Sequence, residues 1–93
     1  MFMDEKLSEF FKLFSNVLRL KILKILADHE QNVSNLVTAT GYSQSNISQQ
    51  LKMLKHADII SSHKHGKQVF YVLKDDHIRS IIALATTHLE EKL

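Results

Sequence analysis

The sequence predicts a mainly α-helical domain with one small β-hairpin, in the order ααααββα. Three observations carry this. Apolar residues recur at spacings of three and four through most of the chain. Two runs rich in β-branched and aromatic residues flank His65-Gly66. Proline is absent, which leaves Gly41 and Gly66 as the main punctuation. The chain has 93 residues, enough for one core and therefore a single domain over residues 1–93. At 44% hydrophobic and 24% charged residues it has the apolar content of a globular fold rather than of a disordered segment. Cysteine is absent, which excludes disulfides, a thiol nucleophile, a Cys-x-x-Cys redox pair and an iron–sulfur cluster. So small a core gains from dimerisation.

The elements follow in order. From about Glu5 to Phe14, Leu7, Phe10, Phe11 and Phe14 lie at helical spacing. Ser15 or Asn16 caps a second helix in which Leu20, Ile22, Leu23 and Leu26 supply a wide buried face, ending near Asp28. Ser34 caps a short helix carrying Leu36 and Val37, and Gly41 supplies the turn out of it. Ser43 caps the next helix, where Ile47, Leu51 and Leu54 face the core while Gln44, Ser45, Ser48, Gln49 and Lys52 face outward. The runs Ile59–Lys64 and Lys67–Leu73 form the hairpin around His65-Gly66. Asp75 or Asp76 caps a last helix to about Glu91, with an apolar stripe of Ile78, Ile81, Ile82, Ala85 and Leu89 and nothing after it in the chain to pack against.

The formal charge of +2 conceals an asymmetry. Residues 1–40 sum to 0, residues 41–74 to +4 and residues 75–93 to −2. The basic centre suits a polyanion, and the acidic tail suits cations. Within the basic centre, two short helices meet at a glycine and the second presents a polar, acid-free face, which is a helix-turn-helix with a reading helix for the major groove. Lys64, His65 and Lys67 at the following hairpin tip are placed to touch phosphate, so residues 33–73 form a winged helix-turn-helix. The plainer alternative is a solvated helix face and an edge strand blunted by lysine.

The segments Asn16-Val17-Leu18-Arg19-Leu20-Lys21-Ile22-Leu23, Ser43-Gln44-Ser45-Asn46-Ile47-Ser48-Gln49-Gln50-Leu51 and Gly66-Lys67-Gln68-Val69-Phe70-Tyr71 resemble the ArsR/SmtB bacterial repressors. The resemblance runs from about Phe14 to Glu91. It implies a homodimeric repressor of double-stranded operator DNA, with a recognition helix over Gln44–Lys55 and dimerisation through the terminal helices. Many members carry His after the serine of that helix; here the residue is Gln49, so base preference there does not carry over.

Six histidines need placing. His29 and His56 lie near helix ends, where an exposed imidazole is ordinary. His63 and His65 sit on the wing, where phosphate contact or solvation is favoured over metal. His77 and His88 differ: eleven residues at about 100° each leave a net rotation of only about 20°, so both leave one face of the last helix. Glu91 lies close to that azimuth and Asp75 just precedes the helix. Carboxylate and imidazole are ligands that Zn2+ accepts, with Co2+ and Ni2+ as alternatives. His77 and His88 are nonetheless separated by roughly 16 Å at about 1.5 Å per residue, so one chain cannot close a site. An antiparallel pair of these helices across a twofold axis would bring Asp75 and His77 of one chain to His88 and Glu91 of the other, giving two four-ligand sites.

The spacing Asp75-x-His77-x10-His88-x2-Glu91 also resembles the C-terminal-helix zinc site of the SmtB-like branch. The cysteine-bearing site of other members has no counterpart, the matching stretch being Gln31-Asn32-Val33-Ser34, which argues against thiophilic metals. The plainer alternative has Asp75 only capping the helix, His77 exposed, and His88 and Glu91 forming a polar pair.

The function expected from these residues and the resemblance together is a zinc-responsive homodimeric repressor of an inverted-repeat operator, and the resemblance implies that metal releases it from DNA. The alternative is a DNA-binding repressor governed by another signal, or constitutive. An enzyme is disfavoured: there is no phosphate-cradling glycine loop, and protein fills every position of the ligand set. No apolar run reaches the length of a membrane span and the N-terminal stretch Met1 to Glu5 lacks a signal profile, so a cytoplasmic location is expected, without membrane partner or small-molecule substrate.

Overall fold

The computed structural model describes residues 2–93; Met1, part of the N-terminal stretch expected to lack a signal profile, lies outside them. Five helices and one hairpin appear in the predicted order: α1 (Phe2–Lys12), α2 (Val17–Asp28), α3 (Val33–Thr40), α4 (Gln44–His56), β1 (Ile60–His65), β2 (Gln68–Leu73) and α5 (Asp76–Glu90). No described helix is long and apolar enough to cross a membrane.

Side-chain caps set most of the boundaries. Asn16 Oδ1 accepts from Arg19 N at 3.0 Å and starts α2, while Ser43 Oγ accepts from Asn46 N at 3.2 Å and starts α4. The cap of α3 is Asn32, whose Oδ1 accepts from Asn35 N at 2.8 Å, and not Ser34, which lies inside the helix. Both are capping residue types, and the earlier one wins because Val33 already has helical backbone. Asn32→Ala should therefore cost about 1 kcal/mol in denaturant unfolding, and Ser34→Ala much less. Helix α1 stops at Lys12, so Phe14 sits in the following turn.

Helix α4 ends in a left-handed residue that is not glycine. Asp58 has φ 63°, with Asp58 N donating to Lys55 O and Ile59 N to Leu54 O, both at 3.0 Å. This is the Schellman pattern, and its usual apolar contact falls between Leu54 and Ile59, which are both buried. The Asp58 carboxylate meets Lys74 Nζ at 3.2 Å, tying the end of α4 to the end of the hairpin.

The hairpin is antiparallel, with Ile60 opposite Leu73 and His65 opposite Gln68. Its two-residue loop is Gly66-Lys67, one position later than the predicted His65-Gly66. Gly66 at φ 66° takes the first central position, where a tight hairpin turn of type II′ places glycine. Gln31 adds a further rung, exchanging backbone hydrogen bonds of 3.1 and 2.8 Å with Tyr71.

The core gathers Leu18, Ile22, Leu23 and Leu26 from α2, Leu36 from α3, and Ile47, Leu51 and Leu54 from α4. Ile59, Ile60 and Leu73 close it from the hairpin, and Ile78 and Ile82 from α5. No polar or charged residue is buried among those described. Leu20, expected on the buried face, is only half-buried, and Leu18 takes that place. Phe10 of α1 and Phe14 of the turn after it pack edge to face at 5.1 Å between centroids, while Leu7 and Phe11 of α1 stay exposed.

The α5 stripe divides. Ile78 and Ile82 enter the protomer's own core, whereas Ala85, Leu89 and also Leu84 remain exposed. Beside them, Phe11, Phe14, Leu20, Ile81, Ala85 and Leu89 line an apolar groove of about 400 Å³.

Candidate nucleic-acid and metal sites

Helices α3 and α4 form the helix-turn-helix. Gly41, at φ 76°, donates its N–H to Val37 O at 2.8 Å and turns the chain out of α3 in the left-handed conformation that costs glycine little. Thr40 Oγ1 donates to Leu36 O at 2.7 Å and accepts from Tyr42 N at 3.3 Å, which stiffens the turn. Ser43 then starts α4, which is anchored by Ile47, Leu51 and Leu54, each no more than 1% exposed. That anchoring leaves Gln44, Ser45, Ser48, Gln49 and Lys52 exposed to solvent, without an acidic residue anywhere along the helix. Asn46 and Gln50 lie on its flank, half-buried and joined at 3.4 Å.

The wing carries Lys64, His65 and Lys67 exposed at its tip. It is not a free arm. What holds it was not foreseeable from local pattern, because the contacts span more than thirty residues. Besides the Gln31–Tyr71 rung, Asn32 Nδ2 donates to Gln68 Oε1 at 2.7 Å, so one amide both caps α3 and braces β2. Glu30 Oε2 lies 2.7 Å from His63 Nε2 on the outer strand. The only cue in the sequence is the polar run Glu30-Gln31-Asn32 between two helices.

Replacing Lys64 or Lys67 by Ala should make the salt dependence of DNA binding shallower by about one unit for each phosphate no longer neutralised, equally for operator and random DNA. Weakening confined to operator DNA would put the wing in a base-reading role instead.

On α5, Asp75 is the N-cap: its Oδ1 accepts from His77 N at 2.9 Å and Ile78 N at 3.4 Å. The same oxygen lies 3.4 Å from His77 Nδ1, so carboxylate and imidazole stand together at the start of the helix. His77 is 89% exposed and free to meet a further group. Capping uses only one carboxylate oxygen, so Asp75 is able to cap and to bind. His88 and Glu91 are exposed at the other end, Glu91 as the C-cap.

The two pairs do not meet within one chain, and among the described residues no three His, Cys, Asp or Glu side chains converge as a metal site. The donors are imidazole and carboxylate, which fits zinc chemically. Asp75 and His77 stand at the start of α5, and His88 and Glu91 at its end.

Comparison with known proteins agrees with the fold. The family model for bacterial regulatory proteins of the arsR family matches residues 16–62, which span α2 through the start of the wing. A transcriptional repressor SmtB homologue from a Synechocystis strain is 30% identical over 87 residues, covering 94% of this chain and 66% of that protein, just under two thirds of its length. The cadmium resistance transcriptional regulatory protein CadC of Lactococcus lactis is 33% identical over 90 residues, covering 92% of this chain and 73% of CadC. A homodimeric winged helix-turn-helix DNA-binding domain from Mycobacterium bovis, described as a possible ArsR-family regulator, superposes with a TM-score of 0.89 at 26% identity. The match covers 97% of this chain and 83% of that one. These relatives are regulators of transcription rather than enzymes, and the chain is a member of the arsR family of bacterial regulatory proteins, built as a winged helix-turn-helix.

Proposed function

We propose that the protein is a homodimeric transcriptional repressor that binds an inverted-repeat operator and is released by zinc held between the α5 helices of two protomers. The observation that carries this is the division of α5: Asp75 and His77 at one end, His88 and Glu91 at the other, all exposed, with an apolar groove alongside. A second copy laid antiparallel on this face would bury Leu84, Leu89 and Phe11 and complete both ligand sets. Zinc, when bound, supplies a cross-link between protomers. The chain supplies the rest.

On the DNA side, Gln44 and Gln49 are amides suited to adenine, so the operator is expected to contain A·T pairs, each bidentate contact discriminating by about 1–3 kcal/mol. Ser45, Ser48 and Lys52 flank them on α4, and Lys64, His65 and Lys67 add backbone contacts from the wing. The test is a gel-shift titration of the DNA upstream of the protein's own gene, with and without Zn2+, Co2+ and Ni2+. Zinc should weaken the complex; a complex indifferent to all three metals would assign the regulation to another signal.

A further inference from the structure

We infer that Asn32 is a positioning residue for DNA binding, whose side-chain amide sets the angle of the wing so that the wing-tip lysines and the polar face of α4 meet one duplex together. The inference rests on the DNA-binding reading above and names what fixes the geometry of that surface.

The wing is rooted in the core by Ile60 and Leu73 and is held further out by the rung between Tyr71 and Gln31. Those attachments lie close together on the hairpin, so by themselves they leave its tip free to swing. Gln68 is the first residue of β2, next to Lys67, and pairs with His65 beside the turn. It lies three residues from Tyr71, which is about 10 Å nearer the tip at about 3.3 Å per residue. The bond from Asn32 Nδ2 to Gln68 Oε1, at 2.7 Å, is therefore the outermost contact, among the described residues, between the wing and the rest of the fold. Glu30 meets His63 lower down, at the level of Phe70. An attachment so far from the rung removes the swing, because a hairpin pinned at two separated points has one orientation.

The other half of the Asn32 amide is already committed. Its Oδ1 accepts from Asn35 N at 2.8 Å as the N-cap of α3, and α3 leads through Gly41 towards α4. Asn35 Nδ2 in turn donates to Gln31 Oε1 at 3.0 Å, which holds the residue next to Asn32. Both bonds of Asn32 hang on one planar group, so turning the side chain to release the wing also gives up the cap. A side chain with a single partner lacks that coupling. The amides carry no net charge, so the brace keeps its strength at ionic strengths that weaken lysine contacts with phosphate.

Two variants take the brace away and leave the cap. Gln68→Ala removes the accepting oxygen, and Asn32→Ser keeps a capping oxygen on a side chain too short to reach Gln68. Neither residue belongs to the core, so both variants should fold. Loosening the wing lowers the fraction of molecules poised to bind. Each variant should therefore bind a random-sequence duplex about two- to ten-fold more weakly, the range that one neutral hydrogen bond spans. The double variant should be no weaker than either single one. In a Lys64→Ala, Lys67→Ala background, Gln68→Ala should change affinity little, since a misplaced wing then has few contacts left to lose. Wild-type affinity in Asn32→Ser beside a loss in Gln68→Ala would make Gln68 a direct DNA contact and overturn the positioning role. Additive losses in the double variant, or an undiminished loss in the background without the two lysines, would overturn it equally.

Without DNA, backbone order parameters at Gly66 and Lys67 should fall in both variants on the ps–ns timescale. Unchanged values would overturn the brace. The expected fall in a protein that binds no duplex at any salt concentration would instead overturn the DNA-binding reading, and the role assigned to Asn32 with it.

Discussion

Tight zinc binding is expected to disappear in His77→Ala and in His88→Ala while the protein stays folded and dimeric. Removing one of four ligands should weaken binding by more than the roughly 10- to 100-fold that removal of a ligand's hydrogen-bond partner costs. Both imidazoles are exposed, so the effect on stability should stay within about 0.5 kcal/mol. Isothermal titration with Zn2+ reads the first quantity and thermal unfolding the second. The shared site gives a sharper outcome. Each variant alone has both sites broken, but a mixed dimer of the two has one site with all four ligands intact, so unfolding and refolding the variants together should restore tight binding to part of the sample. Absence of any recovery would place all the ligands within one chain or elsewhere on the protein, with His63 and His65 the first residues to examine.

The second large effect is reciprocal coupling. If zinc weakens operator binding, operator must weaken zinc binding by the same factor, and a coupling of about 1–3 kcal/mol corresponds to about 5- to 150-fold. The fold shows how α5 could transmit it. Lys74 alone separates Leu73 of β2 from the cap Asp75; its N–H donates to Ile59 O at 2.9 Å and its ammonium pairs with Asp58 at the end of α4. Arg79 Nε donates to Ala27 O at 2.9 Å, fastening α5 to the end of α2. Helix α5 is thus joined to the wing, the recognition helix and the scaffold. A pivot where two α5 helices meet would carry each reading head with it, and half-sites about one helical turn apart tolerate little displacement. Zinc affinity measured with and without saturating operator decides the matter: equal affinities would make the metal structural.

Elements with short-range causes were legible in the sequence. Gly41, Ser43 and the alternation of Ile47, Leu51 and Leu54 with polar residues located the helix-turn-helix because turn, cap and buried face are all set within a dozen residues. Local pattern misleads where two local solutions compete. Asn32 and Ser34 can each cap a helix, and His65-Gly66 and Gly66-Lys67 can each turn a hairpin; cross-strand register settles the second, since Ile60 and Leu73 must pair as buried residues. The division of the α5 stripe depends on where α2 lies, and the braces on the wing join residues far apart in the chain. Of the candidate metal ligands, only the pairing of Asp75 with His77 is present within a single protomer.

Among the described residues the core is wholly apolar, and the residues given roles in binding are all exposed. Sequence drift therefore acts on two nearly separate sets of positions. On the proposed reading, a substitution at Gln49 or His88 would change what is read or bound with little effect on folding, so new specificities could accumulate one residue at a time without a compensating change inside. Helix α5 is where the two sets meet, because Ile78 and Ile82 fill the core from the same helix that carries His77 and His88. An insertion or deletion within α5 would rotate every later residue by about 100°, misplacing buried and exposed side chains together. Point substitution, rather than a change of length, is the route by which this helix can evolve.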